Sequence, residues 1–408
     1  MTSKTDIRPA SDFDPFSAEM IADPYPWYAG LHAGPRVLHL ERWGVWVLSR
    51  HQDVTAAVRD HARLSSAEGV TFVRAPLPMM LTMDPPDHER LRRIAGREFA
   101  PRDIHRFRPT IEAFVKDGMD AMASGDVGDA VEHLAIPVPI RVMAFILGVP
   151  AVDIPLLRGM ADDLIHGFKL NPGSPQLVVE SADSTSYDFA RIGGAIAQIH
   201  AYFSEMIAER RRVPAEDLVT RLIQPADEGT LTPDELLWFC LLLLVAGIET
   251  TTNLIGNMTI ALAGNPDEWR RIREQPDLIP SAVLEALRFD SPIQTFYRGA
   301  VAPYQVDDVE IPSGSRVLLP FGAANRDPAH YPEPDLFKAD RNPVDHIAFG
   351  GGIHRCLGAS LAELEGRIVL EQLVHRADVI EIAGEVVRTS NPTLRGARKL
   401  PVNTAGWR

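Results

Sequence analysis

Cysteine is nearly absent from this chain. Its 408 residues include two, Cys240 and Cys356, too few for a disulfide scaffold or a four-cysteine zinc site. That usage fits a reducing cytoplasm. Long apolar runs are missing as well. The longest, LLWFCLLLLVAGI, ends at Ile248 and covers about 13 residues, where a membrane span needs about 20. It reads as a helix buried on all sides, so no membrane anchor is expected. The opening residues, MTSKTDIRPASDFDP, mix charge with proline and hold no signal-peptide stretch. Basic residues are outnumbered, 41 Lys and Arg against 55 Asp and Glu, for a formal charge of −14. That balance excludes a broad grip on nucleic acid or anionic lipid, though not a local basic face. No repeat or low-complexity block occurs, and the 33 prolines are scattered through short connections.

What the chain does hold is helical periodicity. Apolar residues recur at three- and four-residue spacings over 23–33, 50–60, 87–99, 107–123, 135–147, 154–166 and 189–212. Strand-like pieces are short: 37–39, 45–48, 304–306, 309–311 and 316–319. One helix is well marked. Thr232 caps its start, Pro233 suits the first turn, Glu235 completes a capping box and Gly264 suits its end. Residues 1–20 read as irregular. Residues 21–408 read as one domain, mostly α with a small β-rich lobe.

The most specific pattern is FGGGIHRCLG, residues 349–358. Consecutive glycines permit backbone conformations and close approaches that side chains forbid. The cysteine precedes a helix over 361–375, whose positive end and free N–H groups favour thiolate. One soft thiolate in a glycine cage suits an axial ligand to haem iron. For Cys356 alone, a buried structural cysteine is the plainer reading. In LEALR, Glu285 and Arg288 lie three apart on one helical face, placed for a charge-assisted bond. In DPPDHERLRR, residues 84–93, His88 and Arg92 face the same way, as a carboxylate clamp or as a solvated basic face. AGIETT, residues 246–251, sets a carboxylate and hydroxyls inside an apolar helix, which is costly unless they are paired or solvated.

Together these motifs resemble those of the cytochrome P-450 haem-thiolate monooxygenases. Residues 349–358 match the family signature F-G-x-G-x-H-x-C-x-G at every fixed position. The resemblance implies the cytochrome P-450 fold, with haem b between the helix 232–264 and the helix after Cys356. Carried over residue by residue, Cys356 is the proximal iron ligand, Phe349 packs near its sulfur, and Gly358 is the last fixed position of the loop. His354, His88, Arg92 and Arg298 (in TFYRGA) would contact the haem propionates. Glu285 and Arg288 would join a buried network with Arg341 of FKADR. Gly247 would leave room for dioxygen, and Glu249 and Thr250 match the acid–alcohol pair that delivers protons during oxygen activation. A bond from Thr250 back to the carbonyl at position 246 is compatible with that role.

The implied activity is monooxygenation of a compact hydrophobic small molecule, with a terpenoid or an aromatic favoured. It would use O2 and electrons from a separate ferredoxin and ferredoxin reductase. A peroxide-driven enzyme and a non-catalytic haem sensor are the alternatives, beside a haem-free scaffold that would lack a Soret band. The intact Glu249–Thr250 pair speaks against the first two, and the sensor lacks a segment of output-domain size. Helical counting back from Thr250 places Gly247, Ala246, Leu243 and Leu242 on an apolar pocket wall. Ile293 and Phe296 would add to it. The loop 68–78 would form the roof, with Thr71 and Phe72 touching ligand and Arg74 available to anchor a carboxylate, and Phe168 would close from above. Arg90, Arg93 and Arg97, with Arg355, form an expected basic docking face for an acidic ferredoxin.

Overall fold

The computed structural model describes residues 7–165 and 189–408. The first part of the chain runs α1 (Ala18–Ala22), α2 (Tyr25–Ala33), β1 (Val37–Leu40), β2 (Val45–Leu48), α3 (His51–Arg59) and β3 (Leu64–Ser65). Helices then dominate: α4 (Asp87–Gly96), α5 (Pro101–Ile104), α6 (Arg108–Met122), a short β4 (Val127–Asp129), α7 (Pro137–Leu147), α8 (Ile154–Ile165), α9 (Phe189–Arg212), α10 (Leu218–Asp227), α11 (Pro233–Gly264), α12 (Pro266–Glu274) and α13 (Ile279–Phe289). The last part holds β5 (Thr295–Ala300), β6 (Tyr304–Val306), β7 (Val309–Ile311), β8 (Arg316–Pro320), α14 (Phe321–Ala324), α15 (Ala359–Arg376), β9 (Val387–Arg388), β10 (Ala397–Lys399) and β11 (Pro401–Asn403).

The axis of the molecule is α11. Thr232 Oγ1 accepts the Glu235 N–H at 3.2 Å, and the Glu235 carboxylate accepts the Thr232 N–H at 2.8 Å. This reciprocal cap satisfies donors that the first turn leaves open. Helices α7, α9, α13 and α15 pack around it, and its apolar side chains join the largest core cluster. The helix outruns the apolar stretch that marks it in sequence, reaching 32 residues, and its most apolar window has a mean hydropathy of 1.6. It is therefore long and apolar enough to cross a membrane, yet 72% of that window is buried inside the protein.

The sheet has five strands in the order β1-β2-β8-β5-β3. Strands β2 and β8 run parallel and the other neighbours antiparallel. Alternation along β5 and β8 divides the side chains between two faces. Val317 and Leu319 join a core with Val54 and Val58 of α3, with Phe296 packed against it. Tyr297 and Leu318 join another with Phe13, Phe16 and Trp27. The N-terminal stretch read as irregular thus contributes buried Phe13, Phe16 and Met20, and Ser17 caps α1 within it. Strand β5 escapes the pattern of the other strands. Its sequence, TFYRGA, carries Arg and Gly in place of the apolar alternation that signals a strand.

Candidate active site: the Cys356 loop beneath the central helix

The glycines of the loop are used in two ways. Gly350 and Gly352 take φ of +65° and +62°, a region side chains disfavour. Gly351 and Gly352 also lie against α3. A Cβ on Gly351 would come within 2.7 Å of Val58 Cγ2, and one on Gly352 within 2.4 Å of the Val58 carbonyl oxygen. The Cys356 N–H closes the loop on the Phe349 carbonyl at 2.8 Å. The Gly358 carbonyl accepts from Leu361 and Ala362 as α15 begins. Phe349 is half-buried, its ring 5.3 Å from that of His346.

Cys356 is solvent-exposed, although protein atoms fill much of the space around its thiol. Burial pushes its pKa up; the Gly358 N–H, Arg355 and Arg92 pull the other way without prevailing. A coordinated metal ion would supply the further positive charge that favours the thiolate. Cys240 differs. It is fully buried in α11, and burial raises it to about 12.

Around Cys356 the structure gathers two arginines and two histidines with few partners. Arg298 is 3% exposed, and its guanidinium makes one hydrogen bond, from Nη1 to the Tyr297 carbonyl at 2.8 Å. Burial, with Arg316 nearby, lowers it to about 10 against the opposing pull of Asp84. Arg92 bonds the Arg355 carbonyl at 2.5 Å, and burial lowers it too. His88 and His354 stack edge to face at 4.4 Å. Both ring nitrogens of His88 and Nε2 of His354 are buried without a partner. Burial is the main cause that holds His88 near 4, with His354 and Arg92 adding to it. Burial lowers His354 as well, although Asp84 stands 4.0 Å from its Nε2. Buried donors in this number do not persist unpartnered in a finished protein. An anionic group with several acceptor oxygens fits them. An open cleft of about 390 Å³ lies against His88, Glu89, Arg92, Arg93 and Ile353.

Helix α11 carries an open stretch. Ala246 is exposed in the middle of this largely buried helix, and Leu242, Val245, Glu249 and Thr250 are half-buried. The Thr250 hydroxyl donates to the Ala246 carbonyl at 2.8 Å. Two residues from the helical count sit elsewhere. Leu243 belongs to the core. The missing side chain of Gly247 points at α7, where a Cβ would come within 2.6 Å of Met143 Sδ; this glycine permits close packing of the two helices.

Other sequence expectations divide similarly. Glu285, Arg288 and Arg341 come together. Arg288 Nε and Nη2 reach the Glu285 carboxylate at 2.6 and 2.8 Å, and Arg341 Nε reaches it at 3.1 Å, with Glu285 and Arg288 both fully buried. Phe296 packs on Phe321 at 5.6 Å, and Ile293 is bridged to Leu394, a neighbour that sequence reasoning missed. Phe72 turns away from the hollow into the N-terminal aromatic cluster, 5.2 Å from Phe16 and 5.8 Å from Tyr297. The Thr71 hydroxyl is engaged with the Val73 carbonyl at 3.0 Å. Arg316, also missed, donates to the Gly69 and Thr71 carbonyls and holds this loop against the sheet. Arg74 is exposed, bonded to the Gly314 carbonyl at 2.7 Å and 3.3 Å from Glu68. Arg90 leaves the basic face, since it pairs with Glu235 at 2.5 Å and Asp87 at 3.0 Å. Phe168 lies outside the described residues.

Histidines and arginines short of partners beside one loop cysteine fit the donor set of a haem-thiolate site. Comparison with known proteins agrees. The family model for cytochrome P450 matches residues 38–402. The beta-dihydromenaquinone-9 omega-hydroxylase of Mycobacterium tuberculosis is 38% identical over 394 residues, covering 96% of this chain and 78% of its own. The monooxygenase PikC of Streptomyces venezuelae is 36% identical over 98% of this chain and 95% of its own. Among solved structures, ligand-free CYP164A2 of Mycobacterium smegmatis superposes with a TM-score of 0.85 at 34% identity, covering 95% of this chain and 98% of its own. The chain belongs to the cytochrome P450 family. It is a haem-dependent monooxygenase of the bacterial type.

Proposed function

We propose that this monooxygenase hydroxylates a neutral, compact hydrophobic molecule, a terpenoid or an aromatic, with electrons from a ferredoxin and its reductase in the cytoplasm. The observation that carries the reading is the apolar open face of α11, where Leu242, Val245 and Ala246 lead to Thr250. A wall without side-chain donors recognises shape and rejects charge. The relatives' names point to hydrophobic substrates as well: one is a dihydromenaquinone hydroxylase, another a vitamin D(3) 25-hydroxylase.

In this reading Cys356 would hold the iron of haem b, and His88, Arg92, Arg298 and His354 would hold its propionates. The bound haem supplies the redox chemistry that activates dioxygen. The chain's residues do the rest. Leu242, Val245 and Ala246, with Ile293 and Phe296 from the sheet side, orient the substrate and exclude water from it. Glu249 and Thr250 pass protons inward through Thr250 Oγ1. The Thr250 hydroxyl, anchored on the Ala246 carbonyl, keeps its oxygen lone pairs free to accept the next proton donor. Arg93, Arg97 and Arg355 are exposed and make no ion pair among the described residues; they offer an acidic ferredoxin its docking face.

Spectral titration with matched carboxylic acids and methyl esters tests the substrate class. Esters and neutral terpenoids or aromatics should shift the Soret band at lower concentration. Tighter binding of the free acids, lost in Arg74→Ala, would overturn the neutral reading. Turnover supported by ferredoxin and reductase, and poorly by hydrogen peroxide, is the expected result for electron supply.

A further inference from the structure

Away from the Cys356 hollow, three metal-ligand side chains from distant parts of the sequence meet at the surface. His51 is the first residue of α3, with its backbone N–H held by Asp327 Oδ2 at 2.8 Å. His330 follows α14, and Asp345 begins the approach to the Cys356 loop. The two imidazoles stack with centroids 3.6 Å apart and planes 5° from parallel. Both direct Nε2 toward the same residue. His330 Nε2 lies 2.7 Å from Asp345 Oδ2, and His51 Nε2 lies 3.1 Å from the Asp345 carbonyl oxygen. The Tyr331 hydroxyl donates to the other carboxylate oxygen at 3.0 Å, fixing the carboxylate's orientation. The ligand atoms of His51, His330 and Asp345 all lie within 4.8 Å of one another.

We propose that His51, His330 and Asp345 form a site for a divalent transition-metal ion of the zinc class. The two imidazoles are borderline nitrogen donors, which select zinc over calcium or magnesium, and a carboxylate oxygen is an accepted partner in zinc sites. The Asp345 carbonyl oxygen is placed as a fourth ligand. Metal–ligand bonds of about 2.0–2.2 Å put ligand atoms roughly 3.3–3.6 Å apart in a tetrahedral site, so the present cluster must draw in slightly. Imidazole lone pairs lie in the ring plane, so the parallel rings must also splay. His51 is buried with its backbone held by Asp327, whereas the His330 side chain is 36% exposed, so His330 is the ring that would tilt, giving up its stacking on His51. Asp327 steadies the His51 backbone and Tyr331 holds the Asp345 carboxylate in orientation. The ion would tie α3, which packs under Gly351 and Gly352, to the segment leading into the same loop. Its predicted effect is to stiffen the loop's support without touching Cys356.

The test uses tag-free, chelator-treated holoenzyme. Zinc titration by calorimetry, with metal content by emission spectroscopy after dialysis, should give about one equivalent bound with a dissociation constant in the micromolar range or below. His330→Ala and Asp345→Ala should each weaken binding by about tenfold or more, while His375→Ala, on the exposed end of α15, should leave it unchanged. Zinc should raise the thermal midpoint of the wild-type holoenzyme and not that of His330→Ala. Absence of saturable uptake near one equivalent, or equal affinity in wild type and His330→Ala, would overturn the proposal.

Discussion

Two cysteines in one chain meet opposite fates because of what surrounds them. Cys240 lies in apolar packing and behaves as a small hydrophobe. Cys356 is exposed at the glycine loop; burial still raises its thiol, but the Gly358 N–H, Arg355 and Arg92 act in the opposite direction, which nothing charged does around Cys240. The reduced carbonyl complex should therefore show the red-shifted Soret band of thiolate-bound haem, retained in Cys240→Ala and lost in Cys356→Ala. The reverse pattern would reassign the ligand. His88 gives a pH prediction. The folded, haem-free chain holds it near 4, below its unfolded value of about 6.5. Between those limits the unfolded chain binds the extra proton, so stability falls as pH drops from about 6.5 toward 4. Urea midpoints across that window should decline in the haem-free protein. The His88 contribution should flatten in His88→Asn and shrink when propionates give the ring a partner. Thr250→Ala should keep consuming reductant while releasing more hydrogen peroxide; unchanged coupling would count against a proton role for Thr250 Oγ1.

Between elements, contact distances decide what side chains permit. Gly247 lets α11 sit against Met143 of α7, so Gly247→Ala forces the helices apart or displaces the methionine. A cost of about 1–3 kcal/mol is expected from such overpacking, read from denaturant unfolding of the holoenzyme, with Gly264→Ala at the open helix end as a comparison. The Glu285 network joins α13 to the segment before the Cys356 loop. Besides Glu285, Arg288 reaches the carbonyls of Asn325 and Pro334, and Lys338 N–H donates to Glu285 at 3.0 Å. Removing Arg288 leaves a buried carboxylate short of its main partner, with Arg341 still in place. Arg288→Leu should cost about 3–5 kcal/mol, seen as poor haem retention and early unfolding. Retained stability would show that Arg341 alone suffices.

Over the whole molecule, charge is arranged against its own total. The chain carries −14, yet exposed Arg93, Arg97 and Arg355 cluster near the thiolate loop and the end of α4. Arg90, by contrast, is consumed in bracing α4 to the cap of α11. Reversing Arg93 and Arg97 to Glu should slow reduction by ferredoxin and leave substrate-induced spectra alone. Wild-type reduction should slow as salt rises, because exposed charges are screened over about 10 Å at 0.1 M. Equal rates at all salt concentrations would remove the docking face.

Local signals in the sequence were enough for most helices, for the cap of α11 and for the glycine–cysteine loop. Periodicity, capping residues and glycines act over a few neighbours, and their consequences stay within one element. The residue pairs Glu285–Arg288 and His88–Arg92 were legible for the same reason: three- and four-residue spacing sets the side chains on one face. Strand β5 was not legible, because its arginine and glycine are tolerated by partners on β8 and β3 that lie far away in the chain. Leu243 was expected on the pocket wall by helical counting and Phe72 on its roof by family resemblance, but the helix bundle and the N-terminal aromatic cluster took them in. Arg316, Leu394 and the His51–His330–Asp345 cluster became visible only once distant segments were brought together. Which face of an element meets the hollow depends on its rotation against its neighbours, and side-chain packing across the whole chain determines that rotation.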